Sequence, residues 1–583
     1  MMLKSLVDFA ERMKLREDPN YEEKRVDFVL RFDKEGQFLA LLPTAGASGR
    51  SAERKVPSFP KRTVGISPGF LFDNAKYVLG LGEEKEKKGR NLETLKAFRE
   101  QVDELAGSTK DEGAKAAQRF YARLNEALPR IFAQKPESEW TGGEWIALAY
   151  DEDDPEDILT DRPAIRAYWN SLREASASEG EPVRCLVTGQ ISVPARMHNS
   201  IKRVPEAQSS GASLVSFNAP AFVSQGLSQG ENAPVSRDAA EAYVAALNYL
   251  LEGTDVRRFQ YGILLSENTV MLFWTREQSG MPDTIMELFG ESPRNKLDAA
   301  VKTAESPWKG LENERLEHDE KALYALTLAG NAARVVVRDW FQSTVGQTAT
   351  NLKRWFRELH IGKDEAEPIP IRLLLASVES PGGRGLSPDL ATRMFRAALS
   401  GGRLPWELLA AALRRLRLPP DKNYETAHLK RRCALIKATL LRHEKFKHVL
   451  KEDSVSLDES NHETSYLLGR LFAVLERLQG EAQGDINATI RDRYFGAASS
   501  TPGIVFPRLI RLSVHHASKL DGGGWLEMLK GKIMGALPAQ TFPSTLSLEA
   551  QGLFAIGYYH QRERFFEGKK KDIKDTPPEE AQA

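Results

Sequence analysis

Leu3, Leu6, Val7, Ala10 and Met13 recur at helical spacing and predict an opening helix that stops at Asp18-Pro19-Asn20. The period then changes. Val26, Phe28, Leu30 and Phe32 alternate with Arg25, Asp27 and Arg31, turn through Asp33–Gly36 and return through Gln37–Leu42, which predicts a β-hairpin with one wet face. Pro43 to Pro60 has no hydrophobic period and reads as a loop. Helical spacing returns at Leu92–Leu105, Gly113–Phe132 and Ser236–Leu251, the last with Ser236 placed to cap and Asp238 at the positive end. Short strands are expected at Glu144–Tyr150, Val183–Thr188 and Ala212–Phe217. Two further hairpins pair Val256–Leu265 with Thr269–Thr275 and Ala322–Leu328 with Arg334–Arg338, the second turning at Gly330-Asn331. Strands and helices mix without regular βαβ alternation, which favours an α+β region over a doubly wound sheet.

After about residue 340 the strand signal ends. Helices are expected at Ser343–His360, Leu386–Leu399, Pro405–Leu416, Tyr424–Val449, Glu459–Leu478, Pro507–Leu520 and Leu546–Phe566, joined by short Gly/Pro/Asp connectors. The pattern therefore predicts an α+β N-terminal region over 1–340 and an all-α helical-bundle C-terminal part. That part divides into a basic helical connecting region (341–450), a bundle (451–568) and a disordered tail (569–583).

Composition adds little to this and excludes some classes. Of 583 residues, 41% are hydrophobic, 8% aromatic and 28% charged, so the chain is a globular protein rather than a disordered one. Apolar runs such as Arg184–Thr188, Gly262–Leu265 and Val270–Trp274 stop well before the roughly 18 residues needed to cross a bilayer. Asp8 and Glu11 stand where a secretory signal places its apolar core, so a cytoplasmic protein with no membrane contact is expected. Two thiols, Cys185 and Cys433, cannot form a four-cysteine zinc site, and a disulfide framework makes no sense at this density, so buried or incidental thiols in a reducing cytosol are expected.

Net charge is zero, yet it is segregated. Arg384–Leu450 holds 15 Lys/Arg against 5 Asp/Glu, and Arg50–Arg62 holds 5 cations against one acid. Asp151–Asp157 places six acids in seven residues. Basic blocks of this kind suit a polyanion, although solvated Arg-rich helix faces give the same count.

Catalytic constellations are thin. Gly524 to Gly531-Lys532-Ile533 has the wrong spacing for a phosphate loop, and no HExxH pair or nucleophile elbow occurs. His515-His516 point about 100° apart on a predicted helix and make a poor chelate. Asp27 and Asp33 flank a strand, where a metal-dependent nuclease would want acids, but hairpin acids usually serve turns. The reading is a non-enzyme without metal or cofactor.

Binding chemistry is richer. Arg50, Arg54, Lys55, Lys61 and Arg62 form a basic loop ahead of Ser67–Gly80, in which Asn74 and Lys76 suit base edges and phosphate. For Phe70, Phe72 and Tyr77 core packing is the preferred role; for Asn74 a turn or cap competes with contact. Arg196, Lys202, Arg203 and Gln208 form a second mixed patch of cations and amides, for which an ordinary surface loop is the alternative.

The opening Leu-x-x-Leu-Val-x-Phe helix, the Gly69–Gly80 run, Cys185–Gly189 followed by Ile201-Lys202, Gln208–Asn218, Ala246–Leu251 and Leu467–Phe472 occur in that order. Together they resemble the large subunit of the type I-C CRISPR Cascade complex over nearly the whole chain. The resemblance implies a non-catalytic subunit that contacts crRNA and the Cascade backbone subunits. It would recognise the protospacer-adjacent motif (PAM) in double-stranded DNA, promote R-loop formation, hold the displaced single strand and recruit a separate helicase–nuclease. It also implies that the C-terminal helices are made separately as a small subunit, from an internal start near Val449 or Val455. Within that part Arg491, Arg493, Arg508, Arg511 and Lys519 would line a single-strand path. A metal-dependent nuclease and a free-standing DNA-binding regulator are the competing readings.

Overall fold

The computed structural model describes residues 2–15, 18, 20–45, 51–59, 65–82, 88–177, 180–253, 259–289, 320–362, 369–379, 387–418, 425–443, 449–484, 489–520, 524–538 and 542–574. The chain forms two compact units. One comprises residues 1–12, 199–215 and 244–583; the other comprises 13–198 and 216–243.

Helix α1 (Met2–Arg12) buries Leu6, Val7, Phe9 and Ala10, the stripe that the sequence predicts. The unit that starts at Met13 is built on β1 (Tyr21–Arg25), β2 (Phe28–Phe32), β3 (Phe38–Pro43), β4 (Glu53–Pro57) and β5 (Phe72–Asn74). Helices α2 (Ala75–Val78), α3 (Lys88–Ser108), α4 (Glu112–Ala122) and α5 (Leu124–Gln134) follow, then β6 (Trp145–Tyr150), α6 (Pro163–Ala177), β7 (Val183–Arg184) and β8 (Ile191–Ser192). Its main sheet has the order β3-β2-β6-β5. β2 and β3 form the expected antiparallel hairpin, while β6 returns parallel to β2 with Phe28 opposite Ile146. Leu30 and Phe32 point into a core with Phe98, Phe120 and Leu148, and Phe32 stacks on Phe120 at 5.4 Å. The expected single helix over Gly113–Phe132 is two helices that break at Arg123.

Two expectations change here. Residues 53–57 are not loop: they form β4, paired antiparallel with β1 from Tyr21↔Pro57 to Arg25↔Glu53. The strand expected over Val183–Thr188 shrinks to β7, because Cys185 to Gly189 closes a turn in which the Gly189 N–H donates to the Cys185 carbonyl at 2.9 Å.

Helix α7 (Arg237–Leu250) leads to an antiparallel sheet of β9 (Gly262–Ser266), β10 (Thr269–Thr275), β11 (Ala322–Asn331) and β12 (Arg334–Thr344), with α8 (Met281–Phe289) between β10 and β11. Alternation sorts β10: Met271 and Phe273 join the helical core, while Trp274 meets Phe9 of α1, Tyr324 and Trp340. The β11–β12 hairpin turns at Ala332-Ala333, two residues beyond Gly330-Asn331; Ala332 takes the left-handed conformation at φ 49°. Residues 212–217 make isolated bridges, Ile201↔Ala212 and Ser213↔Arg334, rather than a strand.

Among the described residues no strand follows Thr344. The helices are α9 (Val345–Leu359), α10 (Ile371–Val378), α11 (Pro388–Ser400), α12 (Trp406–Leu416), α13 (Glu425–Leu441), α14 (Thr464–Gln483), α15 (Ile490–Ser500), α16 (Pro502–Ala517), α17 (Gly524–Ala536) and α18 (Leu548–Lys574). α18 continues past Lys569, where a disordered tail is expected, because six residues of that segment stay helical; residues 575–583 lie outside the described residues. α14 and α18 approach through glycine: a Cβ on Gly469 would fall 2.0 Å from the Phe554 carbonyl oxygen, and one on Gly557 2.2 Å from that of Tyr466. No described helix is long and apolar enough to cross a membrane.

The basic block over 384–450 is split between surface and interior: Arg393, Arg396, Arg403, Arg414 and Arg417 are exposed. Arg415, Arg432, Lys437 and Arg442 are buried. Arg432 donates to the Ser377 carbonyl at 2.6 Å, and Lys437 to those of His360 and Glu452 at 2.7 Å each.

Candidate nucleic-acid interface

In the Gly69–Gly80 run, Phe70, Leu71, Phe72, Asp73, Ala75, Tyr77, Val78 and Leu79 are buried, Asn74 is half-buried and Lys76 is exposed. The aromatics anchor the segment: Phe70 stacks on Trp169 at 4.8 Å and Phe72 on Trp145 at 5.4 Å. Leu71 is held in the left-handed region at φ 57°. The buried Asp73 carboxylate closes the turn around it, accepting the Gly69 N–H on Oδ2 and the Asn74 N–H on Oδ1, both at 2.7 Å. β5 then pairs with β6, Asn74 opposite Trp145, and the Ala75 N–H donates to the Glu144 carbonyl at 2.9 Å.

Asn74 occupies the position before α2, yet its side chain makes no capping bond. The cap role is thereby excluded, and the amide is carried on a backbone fixed from both sides. Two residues on, the Lys76 stem runs over Gly82 and Gly142, and its carbonyl accepts from Thr94 Oγ1 at 2.8 Å. Glu144 commits both carboxylate oxygens to the Thr141 and Gly142 N–H groups at 2.8 and 2.9 Å. Among the described residues Lys76 has no carboxylate partner.

Arg50, Lys61 and Arg62 lie outside the described residues. Arg54 and Lys55 sit on β4 and have partners inside the chain. Arg54 donates to the Glu156 carbonyl, and Lys55 pairs with Asp18 at 2.6 Å, which holds the Asp18 carboxyl below its usual range. In the acidic run Asp151 faces Arg31 at 3.7 Å and Asp153 pairs with Arg162, while Glu152, Asp154, Glu156 and Asp157 are exposed; the Pro155 carbonyl takes Arg31 Nη2 at 2.6 Å. The structure adds Lys24, absent from the sequence candidates, whose ammonium lies 5.2 Å from the rings of both Phe59 and Trp145. Its signal was the Glu-Glu-Lys-Arg run of β1, which lacks the apolar alternation of a strand.

The second patch divides between the two units. Arg196 is exposed in one and donates Nε–H to Gln229. Lys202, Arg203 and Gln208 are exposed in the other, on a loop locked by two bonds. The Lys202 N–H donates to Asn248 Oδ1 at 2.8 Å and the Gln208 N–H to the Ala332 carbonyl at 3.0 Å. Arg203 stands in the left-handed region at φ 61°.

In the helical bundle Arg493, Arg508, Arg511 and Lys519 are exposed. Arg491 is not: it is 5% exposed, its guanidinium lies 5.9 Å from the Tyr558 ring centre, and burial lowers its pKa. The physical reason is its place in α15, on the face that also buries Phe495 and Ala498, so it cannot line a surface path.

The hairpin acids have structural partners. Asp27 accepts from Ser51 Oγ at 2.6 Å and from the Trp145 N–H at 2.9 Å, and Asp33 from the Gln37 N–H at 2.8 Å. Among the described residues no group of three or more His, Cys, Asp or Glu is placed to hold a metal. Cys185 and Cys433 are buried and unpaired with each other. Burial raises the Cys185 thiol, but N–H donation from Ser236 and Thr188 outweighs it and brings the pKa down to about 6.

No curated protein matches the chain. The profile of the Cas_Csd1 family, described as CRISPR-associated protein, matches residues 6–566, which is nearly all of the two units just described. The chain therefore belongs to the Cas_Csd1 family of CRISPR-associated proteins.

Proposed function

We propose that this protein is the non-catalytic large subunit of a type I-C Cascade complex, which reads the PAM in duplex DNA and promotes R-loop formation. Base pairing with the guide then carries sequence discrimination, so the protein needs only a short groove-reading element and cationic surface. The observation that supports this best is the Asn74–Lys76 presentation. One half-buried amide that caps nothing, its buried Oδ1 left without a partner among the described residues, and one exposed ammonium stand in a segment whose other side chains are core. An amide on a rigid backbone suits base edges, and the neighbouring ammonium suits phosphate. Lys202 and Arg203, both exposed, supply further positive surface.

The partners on this reading are crRNA with the backbone subunits, the target duplex, the displaced strand and a helicase–nuclease. A separately made small subunit starting near Val455 would keep the α14–α18 seam, since Gly469 and Gly557 both lie beyond that point. Intact-mass measurement of the purified complex tests that part.

The main test is selection of a randomised-PAM duplex library by guide-loaded complex with and without this chain. PAM-dependent enrichment only in its presence is expected; equal enrichment without it overturns the reading. Magnesium-dependent cleavage by the isolated chain, lost in Asp27→Ala or Asp33→Ala, would favour the nuclease alternative instead.

A further inference from the structure

A cavity of about 300 Å³ opens on the helical bundle, lined by Leu457, Glu459, Trp525, Leu529, Gln561, Arg564 and Phe565. Its wall is unusual for a bundle surface. Trp525 is 48% exposed and meets the Phe565 ring edge-on at 5.9 Å. Trp525, Met528 and Lys532 follow at helical spacing along the outer face of α17, and Met528 is 77% exposed. The carboxylate in the wall is neutralised, because Glu459 pairs with Lys532 at 2.5 Å.

The segment that carries Trp525 is cationic. From Ile490 to Ala536 the chain carries seven Lys/Arg against three Asp/Glu. Of those acids, Asp492 is committed to the capping box of α15 and Glu527 pairs with Lys530 at 2.6 Å. Arg493, Arg511 and Lys519 are exposed with no carboxylate partner among the described residues, and Arg508 lies over the Tyr494 ring at 5.7 Å. Lys519 precedes Trp525 by six positions, so chain geometry alone keeps the two within roughly 20 Å, a span that a few nucleotides cover. A half-exposed indole beside a hollow walled in part by Leu457, Leu529 and Phe565, on a bundle that also exposes unpaired cations, supplies both parts of a single-strand site: bases stack, phosphates are neutralised.

We propose that this cavity is a base-stacking site for single-stranded DNA, with one base on the Trp525 indole and the adjoining phosphates toward Lys519 and Arg511. The inference rests on the proposed surveillance role and names the place where the displaced strand is held.

The test uses the full guide-loaded complex on a target whose displaced strand carries iodouracil, with ultraviolet crosslinking and peptide mapping. Crosslinks on the α17 and α18 peptides, centred on Trp525, are expected. Trp525→Ala should remove them and weaken binding of an oligo-dT probe roughly 5- to 100-fold, while Trp525→Phe keeps most of the affinity. PAM-dependent capture of the duplex, measured in the same samples, reports separately on the surveillance role. If capture is intact and crosslinks fall only on other segments, the site is overturned and the role stands. If capture does not depend on this chain, the role fails first. Protection of Met528 from oxidation in the complex before DNA is added would mean that a protein subunit covers the ridge, and would also overturn the site.

Discussion

Asp73 accepts the N–H of Asn74 on one carboxylate oxygen while its other oxygen takes Gly69, so a buried acid fixes the backbone of the proposed base reader. Removing it leaves two donors without their acceptor. Asp73→Ala should cost about 1–3 kcal/mol in urea unfolding, and it should blur PAM discrimination as well. Asn74→Ala should blur discrimination with little change in stability. If Asp73→Ala destabilised the protein but left discrimination sharp, the clamp would matter to the fold alone.

Asn74 and Lys76 should separate by salt dependence. Lys76→Ala is expected to lower the slope of log affinity against log salt by about one unit on duplex DNA, uniformly across PAM variants. Asn74→Ala is expected to keep the slope and lose about 1–3 kcal/mol of preference between PAM variants. Binding titrations at several salt concentrations measure both quantities at once. The same slope change in the two variants would mean that both touch only phosphate.

How much of this was legible from the residues depends on the range of the interaction that decided it. The β2–β3 hairpin could be read because alternation from Val26 to Phe32 is local. β4 could not: Arg54 and Lys55 show no strand alternation, and pairing with β1, about thirty residues earlier, makes the strand. The aromatics of Gly69–Gly80 read correctly as core, but the role of Asp73 emerges only once Gly69 and Asn74 are folded against it. Charge misled most. Arg432, Lys437 and Arg442 count toward a basic block in sequence, yet they are buried against acceptors far away in the chain or on other helices, the Ser377 and His360 carbonyls and the Glu358 carboxylate. α15 was missed although Thr489 and Asp492 form a capping box, a local signal present in the sequence.

Arg442 and Glu358 form an ion pair at 2.6 Å with both side chains 1% exposed. Arg442 also donates to the carbonyls of Ala397 and Gly402 at 2.6 and 2.7 Å and lies over the Trp355 ring, so the pair ties α9, α11 and α13 together. Glu358→Ala strands a buried guanidinium and should destabilise this unit by about 3–5 kcal/mol. Replacing both partners by apolar residues should cost less than the single change. Urea unfolding of the four proteins of that cycle decides it, and a larger loss in the double variant would contradict the account.

His560 gives the same unit an acid-sensitive step. The ring is buried, with Nδ1 at 3.0 Å from the Tyr466 hydroxyl, and burial brings its pKa from 6.5 down to about 3. A folded pKa below the unfolded one means that the unfolded chain takes up the proton first as pH falls. The contribution of a neutral His560 is therefore complete above pH 6.5 and is lost progressively toward pH 3. The slope is at most about 1.4 kcal/mol per pH unit. His560→Gln should flatten this limb of the unfolding free energy between pH 6.5 and 4; an unchanged limb would assign the acid sensitivity to other groups.

The arginines of the bundle make opposite predictions according to where the fold puts them. Arg508, Arg511 and Lys519 are exposed on and just beyond α16. Changing all three to alanine should reduce the salt slope for a single-stranded oligonucleotide by roughly 0.7 for each phosphate no longer neutralised, and leave thermal unfolding where it was. Arg491, with its guanidinium against Tyr558 in the interior, should behave in reverse. Arg491→Ala removes a buried group that packs α15 onto α18, so the melting temperature should fall while the salt slope stays put. If Arg491→Ala instead lowered the slope at constant stability, its side chain would have to reach solvent in the working complex, and α15 would need a second position in the bundle.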